Sequence, residues 1–137
     1  MGLVNTEITL KNADDLMRVR HGYIKPKEIR QKTVSALVDT GAWTLVINEA
    51  IRDELGLENM GRSVATLANG AEDVYELAGP LEVLWKDRRV VCDALVLPGA
   101  NDILLGAIPL EAMDLIVCPN KQEVVGAHGD QIMHKVY

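Results

Sequence analysis

Apolar and polar positions along the chain alternate in short runs separated by turn residues, the pattern of short strands rather than long helices. Residues 4–10 alternate loosely and are rich in Thr and Ile, which predicts an N-terminal strand. Residues 12–21 predict a short helix. Asn12 is placed to cap it, Asp15 stands three residues on, Gly22 ends it, and Leu16, Val19 and Tyr23 fall on one face. Pro26 then breaks the run. Residues 28–38 read as a long strand, with Ile29, Gln31, Thr33 and Ser35 set against Arg30, Lys32, Val34 and Ala36. A short apolar strand is expected at 43–47. Asn48 caps a second helix through Ala50, Ile51 and Leu55, stopped by Gly56, with Glu49, Arg52, Asp53 and Glu54 on a solvated side. Residues 62–68 form a strand, Asn69-Gly70 a hairpin turn, and 73–77 the return strand. Gly79-Pro80 reads as a break. Leu81, Val83 and Trp85 then alternate with Glu82 and Lys86, and 86–88 turn the chain into a partner strand at 90–97. After a loop at 98–101 come a short buried strand ending on Gly106, a helix over 109–113 with Pro109 in its first turn, and a strand at 115–118. Beyond Asn120 the pattern is weakest, with a strand possible at 123–125 and a loop at 126–130. So many short strands with one or two short helices predict a small all-β barrel or sandwich.

Composition narrows this picture. At 137 residues the chain has the length of one domain, and its core must be aliphatic, since it holds no Phe, two Trp and three Tyr. A net charge of −6 argues against a nucleic-acid partner. The basic cluster Arg18, Arg20, His21, Lys25 and Lys27 is flanked by Asp14, Asp15 and Glu28 and reads as a solvated face. No apolar run is long enough to span a bilayer, and no charged-then-apolar leader is present, so no membrane partner is expected. The first six residues fit a loose myristoylation pattern, but they read far better as the start of an N-terminal strand. Cys92 and Cys118 sit in apolar surroundings and are expected as free thiols in a reducing compartment. With no Asn-x-Ser/Thr sequon, this gives a cytoplasmic expectation.

The stretch 35–42, Ser-Ala-Leu-Val-Asp-Thr-Gly-Ala, carries the candidate chemistry. An apolar strand ends on an acid, which is costly unless the carboxylate is used, and Gly41 lets backbone approach it closely. A weaker copy of the motif lies at 103–106, where Ile103-Leu104-Leu105 ends on Gly106 and again leads into a helical segment. Between the two stand a hairpin with glycine at its tip and a strand pair. In this order the features resemble the retropepsin-like (clan AA) aspartic proteases, over about residues 34–118, and among them the small free-standing bacterial members most of all.

The resemblance implies a retropepsin-like barrel with one to three short helices and a flap hairpin. It implies one domain over 1–137: a core at about 34–118, an N-terminal strand–helix extension at 1–27 and a C-terminal tail at 119–137. It assigns Asp39, Thr40 and Gly41 to catalysis, and Ala42, Trp43 and Leu104 to the substrate pocket, with Trp43 equally placed for the core or a dimer interface. It makes the hairpin at 67–71, with Ala68, Asn69 and Gly70, the flap over an extended peptide, although this tip has less glycine than viral flaps. Leu105 and Gly106 complete the structural motif. Two carboxylates sharing one proton are needed, one as base on a water and one as acid toward the scissile carbonyl. No second Asp-Thr-Gly or Asp-Ser-Gly occurs, and Asp93 and Asp102 lack the following hydroxyl and glycine. A homodimer in which each chain supplies Asp39 is therefore expected, acting on peptide or protein substrates without a cofactor. His21, His128, His134 and the two cysteines lack metal-ligand spacing, so no metal is expected. No Ser-His-Asp arrangement, phosphate-binding loop or dinucleotide fingerprint is found. The reading from a different class is a retropepsin-like dimerisation or peptide-binding module with little or no turnover.

Overall fold

The computed structural model describes residues 3–66, 69–99 and 102–133. In chain order these form β1 (Asn5–Asn12), α1 (Ala13–Arg20), a single 3-10 turn (Pro26–Glu28), β2 (Gln31–Val38), β3 (Leu45–Ile47) and α2 (Glu49–Leu55). There follow β4 (Glu58–Thr66), β5 (Glu72–Trp85), β6 (Arg88–Val96), β7 (Ile103–Leu105), α3 (Ala107–Ala112), β8 (Leu115–Cys118) and β9 (Glu123–Gly126).

Six strands close into a barrel in the order β1-β2-β7-β3-β6-β5, with β5 returning to pair with β1. Two of the pairings, β2–β7 and β3–β6, are parallel and the others antiparallel. The fold is all-β and retropepsin-like, with three short helices. Outside the ring, β4 extends β5 as a hairpin arm, and β8 and β9 form a separate two-stranded sheet. No described helix is long and apolar enough to cross a membrane.

Alternation within each strand sends one face inward. Ile8, Leu10, Ala36, Leu45, Ile47, Leu81, Val83, Ala94, Val96, Ile103 and Leu105 fill the interior, joined by Trp85, whose indole N–H donates to Thr6 Oγ1 at 2.9 Å. The core is thus aliphatic, as a chain without Phe requires.

Helix ends follow the sequence closely. Asn12 Oδ1 accepts from Asp15 N (3.0 Å) and Asn48 Oδ1 from Ile51 N (2.9 Å), while Gly56 closes α2 in the left-handed conformation, φ 63°. Four expectations are corrected. Gly79-Pro80 is no break: β5 runs through it as one 14-residue strand. Ala78 pairs with Ala94 and Leu81 with Cys92, so two residues oppose Asp93 alone, and the bulge absorbs a proline that has no N–H to offer the β6 ladder. The strand expected from residue 28 starts at Gln31, because Pro26–Glu28 already form the 3-10 turn. Tyr23 is not on the packed face of α1; it lies beyond the helix and is exposed, and the one buried residue of α1 is Asp15. Trp43 precedes β3 and does not belong to it.

Asp15 is a hub. Its carboxylate accepts from Arg18 Nη1, from the Arg30 backbone N–H, and from Arg30 Nε and Nη2, all between 2.8 and 3.0 Å. The Arg30 guanidinium holds it down at about 2. Asn12 also donates to the Leu55 carbonyl (2.8 Å), so the caps of α1 and α2 share one buried residue. A second buried hub is Arg88. Its guanidinium donates to the carbonyls of Met113, Asp114, Gly129 and Gln131 and fastens the β8–β9 segment to the barrel. The Asp114 carboxylate accepts from Met133 N (3.0 Å) and pairs with His128 Nδ1 (2.7 Å), and these two bonds draw it below the usual carboxylate range. Cys92 and Cys118 are free, and burial pushes the Cys92 thiol up to about 11.

Candidate active site

The site is made by one crossover. Ala36, Leu37 and Val38 of β2 pair in parallel with Ile103, Leu104 and Leu105 of β7. On its other side β7 pairs antiparallel with β3, Leu45 with Leu105 and Val46 with Leu104. Since β7 lies between β2 and β3, residues 39–44 must pass over its end. Backbone hydrogen bonds fix that passage: Asp39 N to Leu105 O (3.1 Å), Ala42 N to Asp39 O (3.1 Å), Ala107 N to Ala42 O (2.8 Å) and Ile108 N to Trp43 O (2.9 Å). The Thr44 hydroxyl adds a bond to the Asp93 carbonyl (3.3 Å).

Gly106 is required at the crossing. A Cβ there would run into the Thr44 carbonyl and come within 2.7 Å of the Ala42 carbonyl. Both obstacles are backbone, so no side chain can swing away. This explains physically why an apolar pair followed by glycine mirrors the Asp-Thr-Gly strand.

Asp39 sits at the mouth of this crossover. Its Oδ1 accepts from Gly41 N at 2.9 Å, and a Cβ on Gly41 would lie 3.2 Å from that oxygen. The acid is only partly buried in the single chain. The expectation of an acid buried at a strand end is corrected: placing the carboxylate at an open rim avoids most of the desolvation cost. Thr40 is exposed beside it.

Leu104 belongs to a row that sequence reading missed. Leu37, Leu104, Val46, Leu95 and Leu77 are successive register partners across β2, β7, β3, β6 and β5. They share the outer face of the barrel, opposite to the core. Val46 and Leu95 are buried and the other three half-buried. Period-two counting from the core residues Leu45 and Ile47 would have marked Val46. Which strand lies beside which is invisible locally, so the row was not. Along β5 the same face continues through Tyr75 and Asp73, opposite Ser63 and Ala65 of β4.

The structure brings Asp39, Gly41, Ala42, Trp43, Leu105 and Gly106 into one bonded unit and sets Leu104 on the adjoining apolar floor. Asn69 and Gly70 are not part of that bonded unit and stand at the turn of the β4–β5 hairpin. There Asn69 Oδ1 accepts from Ala71 N (2.9 Å) and Gly70 adopts φ 83°. Leu67 and Ala68 lie outside the described residues. Trp43 is strongly exposed, so the core alternative for it is overturned. Among the described residues no group of three or more His, Cys, Asp or Glu could hold a metal ion. A polar groove lies elsewhere, over Thr9, Lys11, Gln31 and Thr33 beside Trp85 and Glu123. In the single chain, then, the acid stands at the edge of an apolar floor.

Residues 26–108 match the family described as aspartyl protease. A search of curated proteins returns no match. The family match spans more than half of the chain and contains both the Asp39 loop and the Gly106 crossing. The chain belongs to the retropepsin-like aspartyl protease family.

Proposed function

We propose that the protein is a homodimeric aspartic endopeptidase and that residues 1–137 act as one domain. A single observation carries this reading. Asp39 is held on a rigid crossover, at an open rim, with one backbone N–H on one oxygen and no second acid of its kind in the chain. Such an acid is half of a site. A two-fold axis beside it brings in the second half. Two facing carboxylates then share a proton. The ionised one takes a proton from a water held between them, and the protonated one hydrogen-bonds the scissile carbonyl and donates as charge builds on its oxygen. Thr40 reaches across the axis to the partner loop. The Gly41 N–H orients the carboxylate. An extended peptide lies over Leu37 and Leu104, with Ala42 at its side, under the hairpin that carries Ala68, Asn69 and Gly70. No cofactor enters the reaction. The two free thiols support a reducing, cytoplasmic setting.

The second reading, a dimerising peptide-binding module without turnover, draws on the hairpin tip, where Gly70 is the one glycine between Arg62 and Leu77. Incubating wild type and Asp39→Asn with a diverse peptide mixture between about pH 4 and 7, with cleavage followed by mass spectrometry, separates the two. Cleavage by wild type alone is expected. A stable dimer that captures peptides but cleaves none supports the module. A monomer that cleaves rules out the shared site.

A further inference from the structure

We propose that Trp43 and Ile108 anchor the interface between two copies of this chain, an inference that rests on the homodimer reading above. Trp43 is 80% exposed and Ile108 57% exposed, and the Ile108 N–H bond to the Trp43 carbonyl ties them together. Leu3, 74% exposed, adds to the same end of the barrel, directly before Val4, whose carbonyl accepts from Val38 N at 2.8 Å. Scattered exposed apolar residues are ordinary. These are distinguished by where they stand and by what surrounds them. Across 39–44 and 105–108 the only charge is on Asp39. A charge-poor centre with an aromatic anchor is the composition of an interface core.

Distance selects the partner. A standard interface of about 800 Å² per partner, taken as a disc, has a radius of about 16 Å. Four residues of chain span at most about 14 Å, and the turn closed by Ala42 N and Asp39 O shortens that. An interface centred on Asp39, as the shared site demands, therefore covers Trp43. The backbone that carries the side chain is fixed by bonds on Ala42 and Trp43, so little main-chain freedom is left to lose on association. Trp43 is not one of the register partners that make up the apolar floor. The other tryptophan, Trp85, is buried within the chain's own core.

The test is the dimer dissociation constant by analytical ultracentrifugation for wild type, Trp43→Ala, Trp43→Phe and Ile108→Ser. Trp43→Ala is expected to raise it at least tenfold and Ile108→Ser by less, while Trp43→Phe stays close to wild type. Far-UV circular dichroism should be unchanged, since both side chains are exposed in the single chain. Peptidase activity lost by Trp43→Ala at low protein concentration should return on concentrating the protein. In Trp85→Phe, where Trp43 is the sole tryptophan, emission should shift to the blue as concentration rises through the dissociation constant. If that variant fails to fold, the same shift is read as the difference between wild type and Trp43→Phe. An unchanged dissociation constant with a raised KM overturns this inference, makes Trp43 a substrate contact and leaves the homodimer reading standing. A wild-type chain that stays monomeric while it cleaves peptides overturns that reading, and the inference with it.

Discussion

At the start of β2 the chain satisfies its polar groups internally, and at the end of β2 it leaves them open. Around Arg30, the Asp15 carboxylate collects four hydrogen bonds and Asn12 bridges two helix termini. Nine residues further on, around Asp39, the carboxylate has one backbone donor, and an exposed tryptophan stands close by. Both ends are held firmly, but by different means. Side-chain charge networks fasten the first and the β8–β9 segment. Main-chain hydrogen bonds, with glycine at the tight crossing, fasten the second. The contrast teaches that rigidity and completeness are separate properties. The Asp39 loop is held by main-chain bonds while its acid keeps a single donor, which is what the proposed site shared between chains requires.

This comparison can be broken by substitution. The largest effect is expected for Gly106→Ala, whose methyl group meets two backbone carbonyls. Overpacking against backbone should cost about 3 kcal/mol and should abolish cleavage by displacing the Asp39 loop. Denaturant unfolding and a peptidase assay read the two losses. Retained activity would mean that the crossing does not position the acid. Arg88→Met comes next. It leaves four carbonyls without a buried donor, and a loss of about 2 kcal/mol is expected, with kcat unaltered. Hydrogen exchange should speed up over 115–133 and not over 39–44; equal acceleration in both would erase the distinction between the two kinds of fastening.

Asp15→Asn is expected to have the smallest effect, about 1–2 kcal/mol, because its arginine partners are partly in water and screening weakens their pull. Its pH dependence sharpens the comparison. The folded-state value of about 2 lies below the ordinary 3.8, so the unfolded chain binds more protons between them. The contribution is therefore complete above about pH 4 and disappears as pH falls toward 2. Wild-type stability should decline in that window, and the decline should be shallower in Asp15→Asn. Parallel curves for the two proteins would show that the hub does not govern acid sensitivity.

Much of this was legible in the chain because it is local. Asn12, Asn48 and Gly56 act within a few residues of where they stand, and their roles follow from capping chemistry. The likeness of Ser-Ala-Leu-Val-Asp-Thr-Gly to Ile-Leu-Leu-Gly was legible because both strands carry the same constraint, an apolar run that must end where backbone crosses backbone. What could not be read depends on register between distant strands. The floor of Leu37, Leu104, Val46, Leu95 and Leu77 exists only once five strands are aligned. Gly79-Pro80 looks like punctuation, and only Asp93 opposite makes it a bulge. Asp15 looks like a solvated first-turn acid until Arg30, fifteen residues away, closes over it. Trp43 reads as equally suited to the core or a dimer interface because its place depends on the crossover, which no local pattern reveals.

The insertion of β7 between β2 and β3 also bears on the order of assembly. Ala36 meets Ile103, and Leu45 meets Leu105, only after most of the intervening chain has been made. Contacts so far apart in sequence close late and slowly. Until they close, Asp39 lacks the Leu105 carbonyl that fixes its backbone, and Ala42 and Trp43 lack their partners on α3. A nascent chain that has passed Asp39 but not yet reached Ile103 carries the acid without its setting. The order of strands thus acts as a timer, keeping the carboxylate out of position until the barrel that would aim it is essentially finished.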